Sequence, residues 1–138
     1  MSIRDAATAV LATAAGLAAI IIDRFSTEEE ARAEPVLTGL AAGVTLGFAV
    51  LLFGWALPRA KARRNHAAGL ALMTSVVGFF CVASAWTGLP FVLGAGGAML
   101  GTAARGATTE PRERSVATFA VGLGLSALAL ACVALLAV

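Results

Sequence analysis

Charge is what this sequence has least of. Asp, Glu, Lys and Arg make up 13% of its 138 residues, against about 25% in an ordinary soluble domain. A chain so poor in polar groups cannot cover its apolar surface in water, which argues against a soluble globular domain. The formal net charge is only +2, and no basic face is large enough for nucleic acid. The single histidine, His66, rules out haem ligation by two histidines of this chain. Cys81 and Cys132 belong to no CxxC or Cys/His spacing, so no metal site is expected. Tyrosine is absent altogether. Most telling, no Asp, Glu, Lys, Arg, His, Asn or Gln falls inside any long apolar run. Ionisable groups at membrane depth mark proton relays, ion coupling and substrate sites, and none is available here. The expectation is a protein without catalytic residues, metal or cofactor.

What the sequence has in abundance is apolar length. Hydrophobic residues make up 59% of the chain and the mean hydropathy is +0.90. Runs without charge occupy 6–22 and 36–57. The run from Ala67 to Ala104 has no charged residue at all. As one helix it would measure roughly 57 Å at about 1.5 Å per residue, nearly twice a hydrocarbon core of about 30 Å. It must reverse, and its only turn signal is Thr87-Gly88-Leu89-Pro90. The third and fourth spans are therefore predicted at 67–86 and 89–104, with Pro90 in a first helical turn, where its missing N–H is not needed. The fifth is predicted at 116–138, with an earlier start if Thr109 caps it and Pro111 opens it. The fold class expected is an all-α integral membrane bundle of about five transmembrane helices, forming one domain over 1–138. The run 6–22 resembles a signal peptide, but the A-x-A site that follows it, Ala31-Arg32-Ala33, lies beyond a stretch of acids, so a retained helix is expected.

The connecting segments assign a direction. Asp23 to Pro35 is acidic. Pro58 to His66 carries Arg59, Lys61, Arg63 and Arg64 with no acid, and Arg105 to Ser115 carries three arginines against two glutamates. Cytoplasmic loops are enriched in Lys and Arg. Alternation over five spans then puts the N-terminus and both basic loops inside and the C-terminus outside. Arg59, Lys61, Arg63 and Arg64 are expected to set topology, with lipid headgroups as a further contact. Trp55 and Trp86 fall at predicted span ends and are expected to anchor the interfaces. Heavy use of Ala and Gly suggests a bacterial source, and the expected location is the cytoplasmic membrane.

Small residues recur at helical spacing. Ala67, Ala71, Thr74, Gly78, Cys81, Ala85 and Gly88 are spaced alternately by four and three, and so are Ala117, Ala120, Gly124, Ala127, Ala131 and Ala134. Pro90, Gly94, Gly97, Gly101 and Ala104 follow the same alternation. Gly39, Gly43 and Gly47 are strictly four apart. Lipid is as apolar as leucine, so helices associate in it through close backbone contact, which small residues allow. The 3/4 alternation suits left-handed packing; the strict spacing of four suits a right-handed crossing. Gly39, Gly43, Gly47, Gly78, Gly94, Gly97, Gly101 and Gly124 are the expected helix-packing residues. Ser75, Ser84 and Ser126 are expected to bond back to helix backbone, and both cysteines to be free thiols. The function expected is helix–helix association, as a subunit of a membrane complex or as a homo-oligomer. A small transporter or channel for a neutral or apolar solute, formed between protomers, is the alternative.

Overall fold

The first helix starts where the chain can first cap it. Ser2 and Asp5 exchange hydrogen bonds reciprocally: the Ser2 amide donates to Asp5 Oδ2 (3.0 Å) and the Asp5 amide to Ser2 Oγ (3.2 Å). This is the geometry of a capping box. Asp5 also receives the Lys61 ammonium, which ties this end of the helix to the end of the second rod. The chain is described by a computed structural model covering residues 2–26, 35–62 and 67–137, with the side chains of 24–26, 35, 85 and 86 outside the description. Among these residues there is no strand.

Five helical rods result. The first is α1 (Ile3–Ser26). The second runs as α2 (Pro35–Ala49), a π-helical stretch Val50–Ala56, and α3 (Leu57–Ala62). The third is α4 (Ala67–Phe80), continued by 3-10 turns over Cys81–Thr87. The fourth is α5 (Leu89–Ala107) and the fifth α6 (Pro111–Leu136). Several bounds differ from those the uncharged runs define. The first helix extends past 6–22 at both ends, and the second rod continues beyond 57 to Ala62. The fifth begins at Pro111 rather than 116, with Glu110 and not Thr109 in the N-cap position and no side-chain capping bond from it. The reason is common to all: charge ends an apolar run, not a helix, and backbone hydrogen bonding continues into the interface.

Among the described residues, four segments are long and apolar enough to cross a membrane: Ile3–Asp23, Val36–Ala62, Ala67–Ser84 and Pro111–Leu136. The fourth rod, α5, is not among them. It holds five of the chain's fifteen glycines and Arg105, which lower its hydropathy. It does not need to be lipid-like, because it is the hub of the bundle. Every residue from Pro90 to Gly97 is buried, and its neighbours are supplied by all the other rods.

Glycine is what lets one helix serve so many partners. A Cβ built on Gly94 or Gly101 would meet α6, at 2.9 Å from the Gly124 carbonyl oxygen and 2.7 Å from a Val121 methyl. One on Gly97 would lie 2.2 Å from Ser75 Oγ of α4, and one on Gly96 would lie 3.0 Å from Leu52 in the π-helical stretch. Each glycine weakens helix formation by about 1 kcal/mol relative to alanine, so the close approaches must outweigh that.

The reversal between the third and fourth rods falls at the expected residues, with Gly88 at its centre, but not at the expected depth. It does not sit at the level where α1 and α2 end. Gly88 adopts a left-handed conformation (φ 71°) and packs on the backbone of Gly16. Thr45 Oγ1 donates to the Thr87 carbonyl (2.7 Å). Gly16 is ten residues from Ser26 and Thr45 ten from Pro35, or about 15 Å along each helix at about 1.5 Å per residue. The turn is thus sunk beside the middles of α1 and α2. Irregular backbone at that depth survives only if its polar groups are satisfied within protein. Here the Ser84 hydroxyl donates to the Cys81 carbonyl (3.0 Å) and the Thr87 hydroxyl to the Ser84 carbonyl (2.7 Å). Thr45→Val, nearly isosteric, is expected to lower stability by about 1 kcal/mol, in the range of interhelical hydrogen bonds in membranes. Thermal unfolding in detergent checks it; an unchanged melting point would show that the bond to Thr87 contributes nothing.

Candidate association surface

The bundle divides its small residues into two sets. On α4, Ala67, Ala71, Thr74 and Gly78 are buried, while Leu70, Met73, Val77 and Phe80 face outward. On α6, Ala117, Ala120, Gly124, Ala127 and Ala131 are buried, while Phe119, Leu130 and Val133 face outward. These stripes meet α5 and each other. A Cβ on Gly78 would lie 3.0 Å from Leu93 Cβ, and one on Gly124 would lie 2.7 Å from the Gly94 carbonyl oxygen and 3.2 Å from Ser75 Oγ. Ser75 is the polar centre of this junction. Its hydroxyl donates to the Ala120 carbonyl across the α4–α6 contact (2.8 Å), so its bond is interhelical and not back to its own helix. Ser126 does bond back, to the Gly122 carbonyl (2.8 Å).

The second set is Gly39, Gly43 and Gly47. All three are exposed, and a Cβ on any of them would meet no atom within 4 Å. They take no part in packing among the described residues, which corrects the expectation for this run so far as these parts of the bundle are concerned. The cause is geometric. The turn at Gly88 is level with Thr45, so the third and fourth rods reverse before they could cover Gly39 and Gly43. Exposed Leu40 and Val44 form a ridge beside the glycine track. Below Gly47 the same face continues through Val50 and Gly54 into a groove between α1 and the second rod. That groove encloses about 520 Å³, and Leu17, Leu46 and Phe53 are among its walls. Its lining is almost wholly apolar.

The polar residues expected at the inner end are only partly free. Lys61 is paired with Asp5, and Arg59 lies over the exposed Trp55 ring, 4.2 Å from its centroid. That cation–π contact at i, i+4 spacing makes one unit of the predicted anchor and one predicted headgroup contact. Arg63, Arg64 and His66 lie outside the described residues, as does the side chain of Trp86. Cys81 and Cys132 are both free. Among the described residues no group of His, Cys, Asp and Glu could hold a metal ion. Every buried side-chain nitrogen or oxygen among them has a hydrogen-bond partner.

Thr45 and Ser75 are the residues that sequence reading missed. Either hydroxyl could have bonded to the carbonyl one turn back in its own helix, and no spacing in the sequence distinguishes that from a bond to a neighbour. No protein-family model, characterised protein or solved structure is significantly similar to this chain.

Proposed function

We propose that the chain is a non-enzymatic protein of a bacterial cytoplasmic membrane that works by helix–helix association through the outward face of α2. In this reading α4 and α5 enter the bilayer from the cytoplasmic side and reverse inside it at the sunk turn, which leaves the N-terminus in the cytoplasm and the C-terminus outside, as five full crossings would. The observation that carries it is the contrast between the two glycine sets. Gly78, Gly94, Gly97, Gly101 and Gly124 each have a neighbour 3.0 Å or less from a built Cβ, whereas Gly39, Gly43 and Gly47 have none within 4 Å. Glycines four apart on an exposed helix face form a groove into which another helix backbone fits. The interior supports the non-enzymatic part, since the Thr45 and Ser75 hydroxyls are both committed to carbonyls of neighbouring segments.

The test is assembly. With Cys81 and Cys132 replaced by serine, a cysteine at Gly43 is expected to cross-link in native membranes. The product is a dimer if the partner is a second copy, or a stoichiometric heteromer if it is another subunit. Native mass spectrometry of the gently extracted protein distinguishes the two. Gly43→Leu is expected to abolish the assembly while changing the melting point of the isolated chain little. A chain that extracts alone and never cross-links would end this reading.

Topology has its own test. A cysteine at Glu29 is expected to react with an impermeant reagent added from outside, and one at Arg63 to be protected. The opposite labelling would reverse the orientation, and labelling of both would overturn the count of crossings.

A further inference from the structure

We propose that the cleft between the end of α5 and the start of α6 binds the phosphate of an anionic phospholipid. Two arginines line it from different helices: Arg105 in the last turn of α5 and Arg114 in the first turns of α6. Thr109 adds a hydroxyl, while those of Ser115 and Thr118 donate to the Pro111 (3.0 Å) and Arg114 (2.8 Å) carbonyls of their own helix, and the cleft encloses about 570 Å³. No acid lines it.

That last point follows from how α6 sorts its charges. Arg114, Ser115 and Thr118 stand three, four and seven residues after Pro111, on one face of the helix. Glu110 and Glu113 line a separate cleft against α4, and the Glu113 carboxylate is occupied by the Thr108 hydroxyl (2.7 Å). The acids nearest in sequence are thereby turned away from the two arginines. Among the described residues neither Arg105 nor Arg114 makes an ion pair. By contrast, Lys61 is spent on Asp5, and Arg59 on Trp55. The first N–H groups of any α-helix also lack intrahelical acceptors, which adds positive potential at this end of α6.

A planar guanidinium suits bidentate phosphate recognition, and a free phosphate would satisfy the same groups. The surface above the cleft favours a lipid. Arg114, Thr118, Gly122, Leu125 and Ala129 are spaced 4, 4, 3, 4 along α6, and all are exposed. A Cβ on Gly122 would meet no atom within 4 Å. A headgroup held at Arg114 therefore has a shallow apolar track beside it, along which its acyl chain can lie. Basic pockets between transmembrane helices are the usual receivers of anionic headgroups.

The experiment uses the full chain in nanodiscs of equal phosphatidylglycerol and phosphatidylcholine, with retained lipids counted by native mass spectrometry. Phosphatidylglycerol is expected to be enriched about thirtyfold, from the attraction two basic residues exert at a membrane surface. Arg105→Gln/Arg114→Gln should remove the enrichment, and each single variant should reduce it about fivefold on the same basis. Arg59→Gln/Lys61→Gln should leave it in place. Both arginines are exposed, and a melt in phosphatidylcholine alone checks that the variants fold like the parent. Enrichment that survives the double variant overturns the proposal. So does enrichment lost equally with Arg59→Gln/Lys61→Gln, which would mean diffuse surface charge. If inorganic phosphate raises the melting point through Arg105 and Arg114 while no lipid is preferred, the cleft is a site for free phosphate and the lipid assignment falls.

Discussion

Gly88→Ala is expected to detach α1 and α2 from the rest of the bundle, or to unfold it. Two independent costs meet at this position. Gly88 has φ 71°, where a residue with a Cβ is disfavoured by about 1–2 kcal/mol. That Cβ would also lie 2.2 Å from the Gly16 carbonyl oxygen and 2.9 Å from Gly16 Cα. Backbone cannot swing aside as a side-chain end can, so α1 must move. Overpacking of this kind costs about 1–3 kcal/mol, and the combined loss should be about 2–5 kcal/mol. Gly16→Ala opposes the same contact from the other side, with its Cβ 2.8 Å from the Gly88 carbonyl oxygen but without the conformational strain. It should therefore cost less. The double variant should fall short of the sum, because both changes break one contact. The measurement is equilibrium unfolding in mixed micelles. A Gly88→Ala chain that melts with the parent would mean that the sunk turn does not hold the two halves together.

Gly124→Leu should be nearly as damaging, for a purely steric reason. Even the first added carbon would lie 2.7 Å from the Gly94 carbonyl oxygen and 3.0 Å from the Ala98 amide nitrogen. The rest of a leucine has no free volume at the junction of α4, α5 and α6. The expected loss is at least about 3 kcal/mol, the upper end of ordinary overpacking. Gly78→Leu should behave alike, since its Cβ would stand 3.0 Å from Leu93 Cβ and 3.1 Å from the Gly94 amide. Val77→Leu, on the outward face of α4, should cost less than about 1 kcal/mol because lipid can yield. Gly39→Leu lacks any neighbour to displace and should leave the isolated chain's melting point near that of the parent. If Gly124→Leu and Gly78→Leu prove as stable as Val77→Leu, close backbone contact is not what joins these helices.

The contrast between Gly39 and Gly124 also shows where sequence reading stops. Both glycines sit in regular small-residue runs, and the pattern assigns each a packing face. Spacing specifies which residues share a side of a helix, but a helix side has no address. Whether it meets a neighbour depends on where the other rods reverse. The turn signal Thr87-Gly88-Leu89-Pro90 is plain in the sequence, yet its depth is not, because depth follows from the Gly88–Gly16 approach and the Thr45–Thr87 hydrogen bond. The pairing of Lys61 with Asp5 is hidden for the same reason, spanning 56 residues that only the bundle brings together. The split of Arg114 from Glu113 is partly legible, as neighbouring residues point about 100° apart on a helix. That Arg105 joins Arg114 in one cleft is not.

By itself the sequence determined that this chain is helical and apolar enough for a membrane, that the run from Ala67 to Ala104 must reverse, and which residues lie on the small faces of α4, α5 and α6. Those properties are local: hydropathy, length against bilayer thickness, and a period of 3.6 residues. The tertiary structure decided that α5 is the hub and needs less hydropathy than a lipid-facing span, because the neighbouring rods, not lipid, surround its glycine faces. It decided that the reversal lies sunk against Gly16 and Thr45, and that Gly39, Gly43 and Gly47 are left uncovered. These are relations between segments far apart in the chain, set by which backbones can approach most closely, and no single helix carries that information.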